Sequence, residues 1–492
     1  MTTLASRRTR RPRLHGGVGV RSNPTGESAL VLGLIVVLVG AVLASSGFGA
    51  ATQLAVVSAT LLIALTIPAV LQARRGSDLT PFLLAPIVLS AFQNVYLLPV
   101  APDIDPAAFS VIIIINFVDA ALLLVVLALT RSRSGTHPLV RLVTVCLAIT
   151  TAWGWASALV FGADLTAALA AFRNIVTPLV FLLLGLLAAR STRPARFAAG
   201  VVVVAAATIA FGFWELNTPS FWQDAGIQQL WNAKALGIRE STGLPGNFFS
   251  SEIIDGSPAR RMVSSFADPV HFGTFMFVAF AAAVWLRRWI LAGLCVVAAS
   301  YAVSKGFLLS TLVFVAVWAR LYANPVVQAL AVVTALGTAV WFYSFSAENS
   351  SGSTDIHIDG FLAALTELPS NPIGRGLGNS GVRRAGRDLF EDGSGVLESG
   401  IGLIISQLGV IGIAVFGVFF VALVRAASAV ADRSSRLVAV GLSLAFLLNA
   451  TFNEVALSPN SAAAYFILIG LVVGSDRLRR QTDPIEQGTS WK

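Results

Sequence analysis

The run Gly400-Ile-Gly-Leu-Ile-Ile-Ser-Gln-Leu-Gly-Val-Ile-Gly-Ile-Ala-Val-Phe-Gly-Val-Phe-Phe-Val-Ala-Leu-Val424 decides the fold class. No charged residue interrupts it between Glu398 and Arg425. A helix rises about 1.5 Å per residue, so about 20 such residues cross a hydrocarbon core of about 30 Å. Beyond the run, Arg425, Arg433 and Arg436 form a basic link, and another apolar stretch follows.

The same pattern recurs from Ala29 to Ser475. Apolar segments at 29–47, 51–71, 80–98, 108–130, 141–161, 172–189, 197–215, 268–286, 289–303, 306–319, 325–345, 399–424, 436–455 and 460–475 alternate with short polar links. The reading is an all-α polytopic membrane protein with about fourteen transmembrane helices. Composition agrees: 56% of residues are hydrophobic and only 12% charged, against about 25% charged in soluble domains.

Charge gives the helices a direction. With the N-terminus in the cytoplasm, alternate links hold Arg74-Arg75, Arg131 to Arg141, Arg190 to Arg196, Arg287-Arg288, Arg320, Arg425 to Arg436 and Arg477 to Lys492. Cytoplasmic links are expected to be rich in Arg and Lys. The intervening links 99–107 and 162–171 contain acids and no basic residue. Both termini are therefore expected in the cytoplasm, as a disordered basic tail over 1–28 and a second tail over 476–492. The segment at 29–47 imitates the core of a signal peptide, but no convincing cleavage site follows and further spans do.

The formal charge of +9 follows this topology and forms no basic face for nucleic acid. Cys146 and Cys295 lie inside apolar runs and read as small hydrophobes. The four His have no ligand spacing, so neither a metal nor a cofactor is expected. The segments 289–303 and 306–319 are short, and a re-entrant pair turning near Ser304-Lys305-Gly306 is an alternative to two crossings.

Two long links, about 216–267 and 346–398, fall on the extracytoplasmic side, and long loops carry function more often than short ones. Chemistry there excludes nucleotide donors, and no phosphate-loop motif contradicts that. The first loop reads as an interfacial helix in which Ile227, Leu230 and Trp231 share a face, or as aromatics stacked on sugar rings. It ends at Arg260-Arg261, two cations against the inside-positive trend. They either grip phosphate or pair with Glu252 or Asp255. Arg173 either reaches the headgroups or contacts an anionic lipid from within a shared cavity, and Lys305 has the same two readings. In the second loop Phe361, Leu362, Leu365 and Leu368 form one face of a short helix. The glycines of Gly374-Arg375-Gly376-Leu-Gly378 present successive N–H groups to an anion, or make a plain turn. Glu398 is a candidate general base, or pairs with Arg383, Arg384 or Arg387.

Four stretches together resemble the O-antigen polymerase and O-antigen ligase superfamily. They are Arg261-Met-Val-Ser-Ser-Phe-Ala-Asp268-Pro-Val-His271-Phe-Gly, Val303-Ser-Lys305-Gly-Phe-Leu-Leu-Ser, His357 to Gly381 with Asn-Pro-Ile-Gly-Arg375-Gly-Leu-Gly, and Glu398-Ser-Gly-Ile-Gly-Leu-Ile-Ile-Ser-Gln-Leu-Gly-Val-Ile-Gly. Their order and spacing between about 170 and 420 carry the match. The chain departs from the pattern at Glu398-Ser399, where ligases have His-Asn, and at Ser304-Lys305-Gly306, where Ser-Arg-Gly is usual. The missing His turns the resemblance toward the polymerase branch.

The resemblance implies inverting, metal-independent glycosyl transfer outside the bacterial cytoplasmic membrane. Donor and acceptor would be glycan repeat units on undecaprenyl pyrophosphate. Arg173, Arg260, Arg261, Lys305 and Arg375 would meet the diphosphate, Asp268 and His271 would shape the donor site, and Glu398 or His357 would be the base. A flippase and a chain-length regulator are the implied partners besides membrane lipids, with no nucleic acid. Ligase-like transfer to another acceptor, a lipid-linked oligosaccharide flippase and a non-catalytic scaffold are the competing readings.

Overall fold

The computed structural model describes residues 71–72, 77–98, parts of 117–128, 138–234, 237–254, 257–349, 353–380 and 398–482. The expected tail 1–28, the span 29–47, nearly all of 51–71, much of 108–130 and residues 483–492 lie outside the described residues. So do Arg383, Arg384 and Arg387.

Every expected span that falls on described residues coincides with a helix. In chain order these are α1 (Thr80–Leu97), α2 (Pro138–Val160), α3 (Leu165–Ala188) and α4 (Pro194–Asn217). The first long loop holds α5 (Phe221–Asp224) and α6 (Ile227–Ala233). Then come α7 (Pro269–Trp285), α8 (Trp289–Tyr301), α9 (Lys305–Tyr322) and α10 (Pro325–Asn349), with α11 (Ser353–Glu367) in the second long loop. The chain continues through α12 (Gly400–Ser428), α13 (Arg433–Phe452) and α14 (Pro459–Thr482). Helix α14 runs on through Asp476, Arg477 and Arg480, where the sequence reading ends the span at 475.

Eight of the described helices are long and apolar enough to cross a membrane, and α7, α8 and part of α10 are shorter apolar helices. On α10, Leu330, Val333, Leu336, Val340 and Trp341 are each more than 60% exposed. Such an apolar surface is unusual against water and ordinary against lipid. The chain is an all-α, multi-pass membrane protein.

Local sequence starts these helices. Asp164, Asp268, Ser304, Ser399 and Asp432 each cap a helix by accepting a backbone N–H in its first turn. Packing then sorts the helices. Helix α14 is the most buried span and lies against α3. A Cβ at Gly470 would lie 2.6 Å from the Leu182 carbonyl oxygen, and one at Gly185 would strike the Ile467 carbonyl. Only glycine permits that crossing, which brings the two backbones together in the manner of small-residue membrane interfaces.

Helix α9 runs antiparallel along α13, with Gly306 against Asn449 and Phe314 against Gly441. Helix α8, at 13 residues, is about 20 Å long and shorter than a bilayer core.

The first loop differs from its sequence reading. It contains two antiparallel ribbons, β1 (Ile238–Arg239) with β2 (Leu244–Pro245) and β3 (Phe249–Ile254) with β4 (Ser257–Arg260). Trp222, Ile227, Leu230 and Trp231 are buried with Leu97, Leu98, Phe248 and Val263 in a small core of their own. These aromatics are therefore available neither to headgroups nor to sugar rings. Trp214, 47% exposed, is an exception among its aromatics.

Candidate functional site

The 3-10 turn Glu454–Leu457, between α13 and α14, packs against α3, α7, α12, α13 and α14. Asn453 forms the turn by accepting the Val455 N–H at 2.9 Å. From this turn the Glu454 N–H donates to the Glu398 carbonyl at 2.9 Å, which ties down the residue just ahead of α12. Ser399 is fully buried, donates to the Thr451 carbonyl and accepts the Gly402 N–H. Ser458, at the far end of the turn, lies 2.9 Å from His271 Nε2.

Asp268 opens α7 and is its cap. Its Oδ1 accepts the N–H groups of Val270 and His271, and its Oδ2 accepts from Asn247 at 2.9 Å. Nδ1 of His271 sits 3.1 Å from Oδ1, at ion-pairing distance but off the line of a hydrogen bond. Arg261 donates from Nε to the Ala302 carbonyl at 2.8 Å and from Nη2 to the Val303 carbonyl at 3.3 Å. It thus caps the carboxyl end of α8 and holds the tight turn into Ser304 and Lys305. Half-buried Lys305 begins α9. Ser304 abuts Gly273 of α7, and Gly306 abuts Asn449 of α13.

Arg261, Asp268, His271, Lys305 and Glu398 therefore come from three separated segments to one cluster of helix ends. A cation at the amino end of α9 opposes the helix dipole.

Arg260 serves the loop itself. Its Nη2 pairs with Glu215 at 2.9 Å, and the Glu215 side chain is fully buried. Glu215 also accepts from Trp222 Nε1 and from the Val263 and Ser264 N–H groups. Burial pulls the Arg260 pKa below its usual value, and the Glu215 charge opposes that. Glu215 is thus a partner that the sequence reading did not name, while Asp255 lies outside the described residues. Glu215 lies in sequence at the end of an apolar helix, and an isolated acid in such a place was the available signal.

Arg173 sits about two turns into α3, half-buried, with Nε and Nη2 donating to Asn174 Oδ1. His357 lies on α11.

The glycine loop is not an anion nest. Helix α12 breaks at Gly409, whose φ of 63° and ψ of −146° are outside the helical region. The loop inserts into that break. Arg375 and Gly376 donate their N–H groups to the carbonyls of Ser406 and Gln407, at 2.8 and 3.2 Å. Leu377 N–H donates to Ser157 Oγ and Gly378 N–H to Gln407 Oε1. Pro372 in return accepts the Val410 N–H at 2.9 Å. The successive N–H groups are used to satisfy a broken helix, as non-helical backbone buried among apolar helices requires. Arg375 itself pairs with Glu367 at 2.9 Å, with both side chains partly exposed.

On α11, Phe361, Ala364 and Leu368 face Ile401 and Ile405 of α12. Leu362 and Leu365 are exposed, so the apolar face is narrower than the sequence pattern predicts.

The fold defines a multi-pass membrane protein. No protein-family model matches the chain, and no curated protein matches it significantly.

Proposed function

We propose that the chain polymerises lipid-linked glycan repeat units by inverting glycosyl transfer at an extracytoplasmic site. In this reading it crosses the membrane about fourteen times, with both termini in the cytoplasm. The observation that carries the proposal is the gathering of Arg261, Asp268, His271 and Lys305 at the adjoining ends of α7, α8 and α9, with His271 against Ser458 and Glu398 against Glu454 at the neighbouring turn. Arg261, Asp268, His271, Lys305 and Glu398 belong to the stretches on which the resemblance to O-antigen polymerases rests.

The chemistry suits the residues. A sugar hydroxyl oxygen forms a bond to the anomeric carbon of the donor as the bond to the diphosphate oxygen breaks. The electron pair leaves on the diphosphate, and the hydroxyl proton passes to a base. Fixed cations stabilise charge where it develops, which is the role given to Arg261 and Lys305, with Arg173 and Arg375 as further candidates. Arg260 supports them by ordering the loop. Glu398 is the base in this scheme, and His357 is the second candidate.

A transporter is the alternative that one observation favours, since broken helices are a hallmark of substrate paths. Here the carbonyls freed at the break, Ser406 and Gln407, are already taken by the inserted loop.

The test is product sizing with purified protein in lipid vesicles supplied with a polyprenyl-diphosphate-linked repeat. Longer lipid-linked glycans and released polyprenyl diphosphate are expected, with at least a roughly hundredfold loss in Glu398→Gln. Movement of unextended substrate between leaflets would establish the transporter instead.

A further inference from the structure

His271 is held from both sides. Three N–H donors keep Asp268 as a carboxylate, and its negative charge 3.1 Å from Nδ1 favours a proton on that nitrogen. The proton of the neutral ring therefore belongs on Nδ1. Nε2 is then the bare nitrogen of the neutral ring. Its partner, 2.9 Å away, is the Ser458 hydroxyl. A hydroxyl can donate to a bare Nε2, so this contact holds the ring in that form.

We propose that Ser458 is a positioning residue that fixes the His271 ring through Nε2, while Asp268 favours the proton on Nδ1. Ser458 is only 6% exposed and acts through the imidazole. This inference rests on the glycosyl-transfer reading, in which His271 shapes the donor site: a ring fixed in place needs no reorganisation as the donor reacts. The charged groups on the surrounding elements are Asp268 on α7, Arg261 after β4, the Glu215–Arg260 pair, Lys305 on α9, Arg173 on α3, and Glu398 and Glu454 at the turn. Between Arg436 and Asp476 the only charged residue is Glu454, so α13 and α14 add none near Ser458.

The experiment combines nitrogen NMR with kinetics on the full chain in lipid nanodiscs. With 15N-histidine labelling four His residues report, each through two ring nitrogens, and His271→Gln assigns the pair of interest. Wild-type His271 is expected to show a protonated Nδ1 and a hydrogen-bonded, unprotonated Nε2. Ser458→Ala is expected to lose that signature and to lower kcat by roughly tenfold or more, with KM within about twofold. Ser458→Thr, which keeps the hydroxyl, is expected to restore both. Retention of the wild-type signature in Ser458→Ala, an Nε2–H tautomer in the wild type, or an effect on KM alone would overturn the proposal. If wild-type protein fails to extend the glycan, the glycosyl-transfer reading falls, while the spectra still decide how His271 is held.

Discussion

Glu215 and Arg260 form an ion pair at 2.9 Å that joins the end of α4 to the end of β4, with the carboxylate fully buried. Four donors converge on that carboxylate: Arg260, Trp222 and the backbone at Val263 and Ser264. The pair closes the first long loop on itself, and Arg261, the next residue, is thereby aimed at the α8–α9 turn.

Glu215→Gln is expected to destabilise the protein by about 1–3 kcal/mol, because buried donors lose a charged acceptor and the partly buried Arg260 loses its counter-charge. A single amide oxygen also cannot serve four donors. Thermal unfolding in detergent, with limited proteolysis between α4 and α7, checks this. An unchanged melting temperature would contradict the role given to the pair.

The α3–α14 crossing makes a second prediction. Gly185→Val and Gly470→Val place a side chain against backbone of the opposite helix, where overpacking costs about 1–3 kcal/mol or more. Both are expected to abolish a monodisperse peak in size-exclusion chromatography. Gly293→Val, where a Cβ would meet nothing within 4 Å, is expected to leave it intact.

Gln407 is the side chain that ties the glycine loop into the α12 break, accepting from Gly378 and donating to the Ser380 carbonyl at 2.9 Å. Gln407→Leu leaves those buried groups unsatisfied, at about 1–3 kcal/mol each. Increased hydrogen exchange confined to 371–380 and 406–410 is the expected signature. Exchange unchanged there would show that the backbone bonds alone hold the insertion.

The orientation is tested by labelling. In a background free of Cys146 and Cys295, Ser241→Cys in the first loop is expected to react with a membrane-impermeant maleimide in intact cells. Ser434→Cys, in the first turn of α13, is expected to react only after permeabilisation. Both positions are exposed, so a reversed pattern would invert the topology.

Arg375 and Glu367 are partly exposed, and such pairs contribute about 0–1 kcal/mol. Glu367→Gln is therefore expected to shift the melting temperature little. In the proposed reaction, Arg375→Ala is expected to raise KM for the diphosphate-linked donor, measured by initial rates of chain extension. Equal effects from both substitutions would mean that the pair is structural.

Much of the architecture was legible because hydropathy acts segment by segment. The spans at 80–98, 172–189 and 436–455 each coincide with a helix, and Asp164, Asp268, Ser304 and Ser399 mark starts in the residue types that capping favours. The site was legible in pieces. Arg261, Asp268, His271 and Lys305 stood out as charged groups at the ends of apolar runs, where each needs a reason. Their partners did not, because Ser458 and Asn247 are ordinary polar residues until other segments are set beside them. The glycine loop misled for a related reason: alternating glycines offer free N–H groups only when no neighbour claims them, and α12 does.

By itself the sequence determined which segments leave water, since a charge-free run such as 399–424 has one low-energy solvent whatever its neighbours do. Only the tertiary structure decided what the polar residues do. Glu215 and Arg260, or His271 and Ser458, meet across a separation of 45 or 187 residues. The partner of a buried polar group is set by which helices pack together, and that choice turns on close approaches such as Gly185 to Gly470, which no local pattern encodes.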